Sequence, residues 1–117
     1  MQLRITDVER LKKAARKTAA GQVLSGGSAD VCLDLALLAG CRASIAAGYG
    51  PLSAKPQTIP HDRLIWVLDG YAEVHDASGK VTHITSGEST VLRAGESYRI
   101  VFPQLTIYLR VEPQKEK

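Results

Sequence analysis

The apolar positions of the chain change period once. Between about Asp7 and Ala20, Val8, Leu11, Ala15 and Ala19 recur at helical spacing while Arg10, Lys12, Lys13, Arg16 and Lys17 fill the rest of the circumference. That pattern predicts an amphipathic helix resting one thin face on a body. Thr6-Asp7-Val8-Glu9 in front of it matches a capping box, in which a side-chain oxygen accepts from a free backbone amide and the glutamate reaches back. From Gly21 onward the apolar residues fall in short β-compatible runs separated by Gly, Pro, Ser and Asp, at the spacing of a sandwich or barrel. Nine strands are expected: Gln22–Leu24, Val31–Leu38, Arg42–Gly48, Arg63–Leu68, Tyr71–Asp76, Val81–Thr85, Ser89–Leu92, Tyr98–Phe102 and Thr106–Val111. Asp76-Ala77-Ser78-Gly79-Lys80 joins two of them as a hairpin turn, Gly79 supplying the positive φ. The prolines at 51, 56 and 60 make the stretch between Gly50 and His61 a loop or sheet edge, since proline brings no amide to a ladder.

Length makes this one domain: 117 residues hold a single core. The expected division is a short helix over 1–20, a barrel over 21–111 and a frayed polar tail over 112–117. With 44% hydrophobic and 23% charged residues, the chain is globular and not disordered. The net charge of +3 raises the question of an acidic partner. Six of the fifteen Lys and Arg precede Thr18 and the rest are scattered, with no aromatic or recognition-helix pattern to read nucleic acid. The concentrated charge suits either a solvated helix face or a helix docking on an acidic partner. No apolar run is long enough to span a membrane and no leader pattern opens the chain. Cys32 and Cys41 have neither the CxxC spacing nor the histidine neighbours of a zinc site, and form a poor disulfide framework. A reducing cytoplasm is the expected compartment.

The stretch from Gly50 to Phe102 resembles the two motifs of the cupin superfamily, G-x5-H-x-H-x4-E-x6-G and G-x5-P-x-G-x2-H-x3-N. Gly50 and Gly70 match the ends of the first, Gly87 and Gly95 the glycines of the second, and Trp66-Val67-Leu68-Asp69-Gly70 looks like the family's strand ending in an acidic residue and glycine. The resemblance implies an all-β, single-domain jelly-roll barrel with a short N-terminal helix, of the kind that commonly pairs as a homodimer. At the four positions where cupins place metal ligands the chain has Pro56, Thr58, Arg63 and Tyr98, and shifting the first motif by one residue brings in only Gln57 and Ile59. Proline offers no side-chain donor, arginine stays protonated and a phenol is a rare ligand, so neither metal nor other cofactor is expected there. Ala47-Gly48-Tyr49 and the run from Asp62 to Gly70 are similar to the cupin domain of ethanolamine-utilisation proteins, which also lack the paired histidines. Those proteins tend to have an acidic residue where this chain has Arg63.

Strand alternation puts Arg63 and Tyr98 on the inner face with Ile65, Val67, Ile100 and Phe102. An apolar mouth with a guanidinium and a phenol suits a small, anionic ligand, Arg63 clamping a carboxylate or phosphate and Tyr98 donating to an oxygen. The ligand-binding candidates are therefore Arg63, Tyr98, His61, Thr58 and Phe102. His61 and Tyr98 are also candidates for proton transfer in a metal-independent isomerase or epimerase acting on a sugar or organic acid. The competing reading is structural: Arg63 pairs with a nearby carboxylate and Tyr98 fills the barrel. His75 and His83 flank the hairpin on one face with Tyr71 and Glu73, two histidines short of a metal site. Tyr71, Glu73 and Trp66 suit an interface with a partner, and Trp66 alone suits plain core packing. Three functions stay open: a binder of a small molecule, a metal-independent enzyme, and an interaction module using the basic helix.

Overall fold

The computed structural model describes residues 5–24, 29–38, 40–51 and 56–113. Helix α1 spans Ile5–Leu24 and is followed by eight strands: β1 Ala29–Leu38, β2 Cys41–Pro51, β3 Gln57–Thr58, β4 Arg63–Asp69, β5 Tyr71–Asp76, β6 Val81–Thr85, β7 Ser89–Leu92 and β8 Ser97–Pro113. Every pairing is antiparallel. The main path runs β1-β2-β8-β4-β7, with β3 and the β5–β6 hairpin branching from β8. Among the described residues the path does not close into a ring, although the all-β architecture behind a short helix is the expected one.

The helix is longer than its periodicity predicts. Residues 22–24, expected as a strand, are its last turn, because Val23 extends the spacing of Ala15 and Ala19 and packs with them and Leu11 against Val31, Ile45, Ala47 and Ile107. The side chains of Thr6, Asp7 and Val8, which carried the capping box, lie outside the described residues. Arg16 ties the helix to the end of β4 through a 2.6 Å ion pair with Asp69. That contact is exposed and contributes at most about 1 kcal/mol.

With α1 on one face and the interior on the other, the middle of β2 is covered twice. Residues Ser44 to Gly48 are all buried, Ile45 and Ala47 under the helix and Ala46 facing inward. The inner cluster joins Ala46 to Ile59, Ile65, Val67, Ala72, Val74, Ile84, Leu92, Ile100, Phe102 and Tyr108, drawing on both branches of the sheet. At its centre Phe102 and Tyr108 stack with centroids 5.0 Å apart.

Two predicted strands, Tyr98–Phe102 and Thr106–Val111, are one strand. Phe102 pairs with Gly50 and Thr106 with Gly48, so Pro103, Gln104 and Leu105 sit opposite Tyr49 alone. This bulge absorbs the proline, whose missing amide would otherwise interrupt the ladder. Thr106, fully buried, secures the bend: its Oγ1 accepts from the Tyr71 amide at 3.1 Å and lies within donating range of the Tyr71 and Gln104 carbonyls. The tail is also shorter than expected, since Glu112 and Pro113 belong to β8; residues 114–117 lie outside the described residues.

Gly48 leaves room for the Phe102 ring: a Cβ there would meet two ring carbons at 2.5 Å. Gly48→Ala should therefore cost about 1–3 kcal/mol through overpacking. The loss, read by urea denaturation, should be largely relieved when Phe102→Leu is combined with it, and a Gly48→Ala protein as stable as the parent refutes the contact.

Candidate functional site

Arg63 opens β4 and lies opposite Leu92 of β7 on one side and, by continuing the β4–β8 register, beside Glu112 on the other. The alternation predicted for it holds: Ile65 and Val67, two and four residues on, are buried in the inner cluster. Arg63 Nε donates to Glu112 Oε2 at 3.1 Å. The neighbouring inward residue of β8, Arg110, brings Nη2 to the same carboxylate, 3.1 Å from Oε1 and 3.4 Å from Oε2. Two guanidinium groups thus share one carboxylate, all three side chains being only 18%, 23% and 19% exposed for Arg63, Arg110 and Glu112. Arg110 Nε is buried and has no hydrogen-bond partner among the described residues. Burial is the largest single influence and opposes the Arg110 charge, but the Glu112 carboxylate together with Tyr108 and Cys32 outweighs it and holds the guanidinium pKa above its ordinary value.

Arg42 stands opposite Glu112 and Ser44 opposite Arg110 on β2, so the charged cluster extends from β4 across β8 to β2. Deeper in, Tyr108 is buried, and its phenol pKa is pushed up, chiefly by burial and then by the charge of Asp30. The hydroxyl therefore stays neutral. The arrangement sets two guanidinium groups around the Glu112 carboxylate at the edge of an apolar interior.

Tyr98 approaches the same end of β7 from the other branch. It packs against the inner cluster, and its hydroxyl accepts from the Arg93 amide at 3.0 Å and donates to Glu96 Oε1 at 3.1 Å. Arg63 and Tyr98 thus both reach the Leu92–Arg93 corner, as inward alternation requires, but each is engaged by a carboxylate. Thr58, exposed on β3, shares a 3.0 Å hydrogen bond with Ser97 Oγ. Phe102 is fully buried in the stack with Tyr108, so it is part of the core rather than a lining residue. His61 is half-buried just before β4. Pro56 is exposed just before β3. The four positions that hold metal in cupins thus present a proline, a hydroxyl bonded to serine, a cation bonded to glutamate and a phenol bonded to glutamate, a donor set that does not fit a metal.

Among the described residues an open groove of about 460 Å³ lies beside this corner, lined by Asp76, Ala77, Ser78, Gly95, Glu96 and Ser97. Its charged groups are carboxylates, and Asp76 is already used by the hairpin, where Oδ1 accepts from the Ser78 amide and hydroxyl and the Lys80 amide. Gly79 has the expected positive φ of 90°. On the outer face of the hairpin, Glu73 pairs with His83 in register, and Tyr71 and His75 share their face. His83 is hydrogen-bonded to the Tyr71 hydroxyl and His75 to Glu73, so the two histidines turn to different partners. Among the described residues no three metal-ligating side chains come together.

The sequence reading missed two members of the cluster, Arg110 and Glu112, the second of which it placed in the tail. Their signal was alternation: Tyr108, Arg110 and Glu112 continue the inward parity of β8.

The sequence matches no family model, and no curated protein is close enough to count as a relative. Solved structures do match. A cupin-2 domain protein from Shewanella frigidimarina superposes with a TM-score of 0.67 at 13% identity, over 72% of this chain and 80% of that one. The EutQ protein of Clostridium difficile gives 0.66 at 16% identity, over 78% and 72%. A cupin superfamily protein from Desulfitobacterium hafniense gives 0.62 at 13% identity, over 77% and 80%. The architecture is therefore the cupin fold. The glycines that carried the sequence resemblance explain part of it, since Gly50, Gly70, Gly87 and Gly95 all take positive φ, between 77° and 133°.

Two tests follow from this geometry. Glu112→Gln leaves two mostly buried guanidinium groups without a counter-charge and should destabilise the fold by about 2 kcal/mol, less than a fully buried pair would lose because all three groups keep some solvent. An unchanged denaturation midpoint removes Glu112 from its organising role. Asp76 has its carboxyl pKa lowered, first by the Ser78 hydroxyl and then by the Lys80 and Ser78 amides despite some desolvation. A carboxyl depressed on folding stabilises above its unfolded pKa, and that contribution fades as pH falls through the folded one. The parent should therefore melt above Asp76→Asn at neutral pH, with the gap closing in acid; a gap that is constant with pH contradicts the assignment.

Proposed function

We propose that this chain is a metal-independent cupin-fold protein that binds a small anionic molecule, a carboxylate or phosphate ester, over the Arg63–Arg110–Glu112 cluster. The observation that carries the reading is that two guanidinium groups converge on the Glu112 carboxylate while Arg110 Nε, among the described residues, is buried without a hydrogen-bond partner. A buried donor left unsatisfied is costly, about 1–3 kcal/mol, and a ligand oxygen or an ordered water relieves that cost. Guanidinium is also the group best shaped to hold a carboxylate or phosphate through paired hydrogen bonds. In this reading Glu112 positions both arginines, Arg110 supplies the free donor, and Arg63 joins in when it turns from Glu112. His61 precedes β4 and is half-buried.

Tyr98 plays a smaller part than its position suggests. Its single proton is committed to Glu96 and its lone pair to the Arg93 amide, so it sets the shape of the corner and has no proton to offer without breaking that bond. An isomerase-type role, which needs Tyr98 or His61 as a proton donor, receives no support from this geometry. The docking-helix role is weakened in the same way, because Lys12 pairs with Glu9 and Arg16 with Asp69. A reducing compartment goes with the reading, since Cys32 and Cys41 are both exposed free thiols. No helix among the described residues is long and apolar enough to cross a membrane.

The experiment is a thermal-shift series on the purified protein with phosphate, succinate and a neutral sugar, repeated with divalent metals and with chelator. A ligand bound only by the folded form raises the midpoint, by about 2.7 kcal/mol in stability at a hundredfold excess over Kd. The anions should raise it and the sugar, metals and chelator should not. Arg110→Gln should weaken the anion about tenfold or more, roughly 1.4 kcal/mol in binding energy. An anion response that survives Arg110→Gln, or a strong response to a metal, overturns the proposal.

A further inference from the structure

Strand β1 brings a thiol to the same side of the sheet as the arginines. Val31 packs under the helix with Ala47, so Cys32, one residue on and paired with the inward Ala46, has inward parity. Ala46 in turn pairs with Tyr108, and the row Cys32–Ala46–Tyr108 crosses three strands, about 10 Å from end to end. Cys32 is an exposed free thiol. Cys41 is exposed and free as well, but its neighbour Arg42 stands opposite the inward Glu112, which leaves Cys41 on the outward parity.

A second observation, independent of the thiol, points to a ligand here. Tyr108 is only 1% exposed, and its hydroxyl makes no hydrogen bond among the described residues. A buried hydroxyl without a partner is costly, and a ligand oxygen relieves that cost. The charges that act on this phenol are those of Asp30, Arg110, Cys32 and Arg63, drawn from β1, β8 and β4, so the hydroxyl stands among them. Arg110 is acted on by Cys32 in the same way.

We infer that Cys32 is a covalent modification site for small carboxylates that carry an electrophilic carbon, of which the α,β-unsaturated acids are the type. The inference rests on the anion reading above: Arg110 holds the carboxylate, and the Tyr108 hydroxyl donates to one of its oxygens. Asp30, inward two residues before Cys32, repels the carboxylate by like charge and turns it toward the guanidinium groups. The electrophilic carbon is then the end left toward β1. The thiolate is the attacking form of the sulfur. Its bond forms to the β-carbon, and the π pair moves onto the α-carbon and the carboxylate, where Arg110 and Tyr108 receive the charge. The α-carbon takes a proton from water and the thiol's own proton goes to water, so the addition balances without an oxidant or a leaving group.

The probe is iodoacetate, with iodoacetamide as its neutral counterpart of nearly the same shape; with both, the sulfur–carbon bond forms as iodide leaves. The full chain is treated with each reagent, and labelling of Cys32 and Cys41 is followed over time by peptide mass spectrometry. Cys41 supplies the reference reactivity of an exposed thiol away from the arginines. Held by its carboxylate, iodoacetate reacts at a raised effective concentration, so the iodoacetate-to-iodoacetamide rate ratio should be about tenfold or more greater at Cys32 than at Cys41. Phosphate should bring the Cys32 ratio down to that of Cys41, and Arg110→Gln should do the same. The phosphate arm uses the parent protein, so it decides the matter even where Arg110→Gln fails to fold. Equal ratios at the two cysteines, in a protein that phosphate stabilises thermally, overturn this inference and leave the anion site standing. Equal ratios with no thermal response to phosphate overturn both. A high ratio at Cys32 that phosphate does not lower also overturns the inference, because the selectivity then comes from something other than the anion site.

Discussion

A single strand of 17 residues, β8, supplies ladder partners to β2 on both sides of its bulge, to β4 with its second half and to β3 and β5 with its first, and the arrangement of the described residues depends on that shared duty. To serve both branches the strand has to change direction midway without losing register. The bulge opposite Tyr49, the proline within it and the buried Thr106 hydroxyl on Tyr71 accomplish this. The bend brings Phe102 from one half over Tyr108 from the other, so the ring stack at the centre of the core is a direct product of the strand's geometry. Gly48 completes the constraint, because any side chain there would occupy the space of the Phe102 ring.

The basic cluster arises where the same strand leaves the core. On its inward parity, Tyr108 is fully buried, Arg110 is partly solvated, and Glu112 follows, matched across the sheet by Ile65 and Arg63. The apolar interior thus ends in charge over two residue pairs. At that boundary solvent is thinned but not excluded, which strengthens the attraction between Arg63, Arg110 and Glu112 without imposing the full desolvation cost of a deep ion pair. Tyr98 and Leu92 close the opposite side of the corner.

Much of this was legible in the sequence, for identifiable reasons. Period-two alternation gave β4 to β7 nearly to the residue, because each of those strands has one face inward and one outward. Turn chemistry gave the Asp76–Lys80 hairpin. The errors came where local pattern and tertiary packing disagree. Gln22-Val23-Leu24 has β-compatible residues, but Val23 falls at the helical spacing of Ala15 and Ala19 and the body of the protein was there to cover it. Pro103 looked like the end of a strand, and only a partner strand with a matching bulge could carry the ladder past it. Glu112 looked like tail because polarity at a terminus usually means solvent, and nothing local announces that Arg63 waits across the sheet beside Arg110 of the same strand. The alternation that placed Arg63 and Tyr98 inward was right, while their carboxylate partners were not predictable from spacing.

The separation between backbone and chemistry in this molecule limits what fold likeness can say about it. The framework glycines Gly50, Gly70, Gly87 and Gly95 keep the positive φ values that the turns of the fold demand, so the backbone path is retained. The side chains at the corresponding positions are free of that demand, and here they are Pro56, Thr58, Arg63 and Tyr98. Geometry that depends on positive φ calls for glycine because other L-residues there are strained, whereas chemistry that depends on a donor atom varies with a single substitution. Fold likeness therefore carries no chemistry to this chain, and the proposed anion site rests on the side chains of Arg63, Arg110 and Glu112 alone.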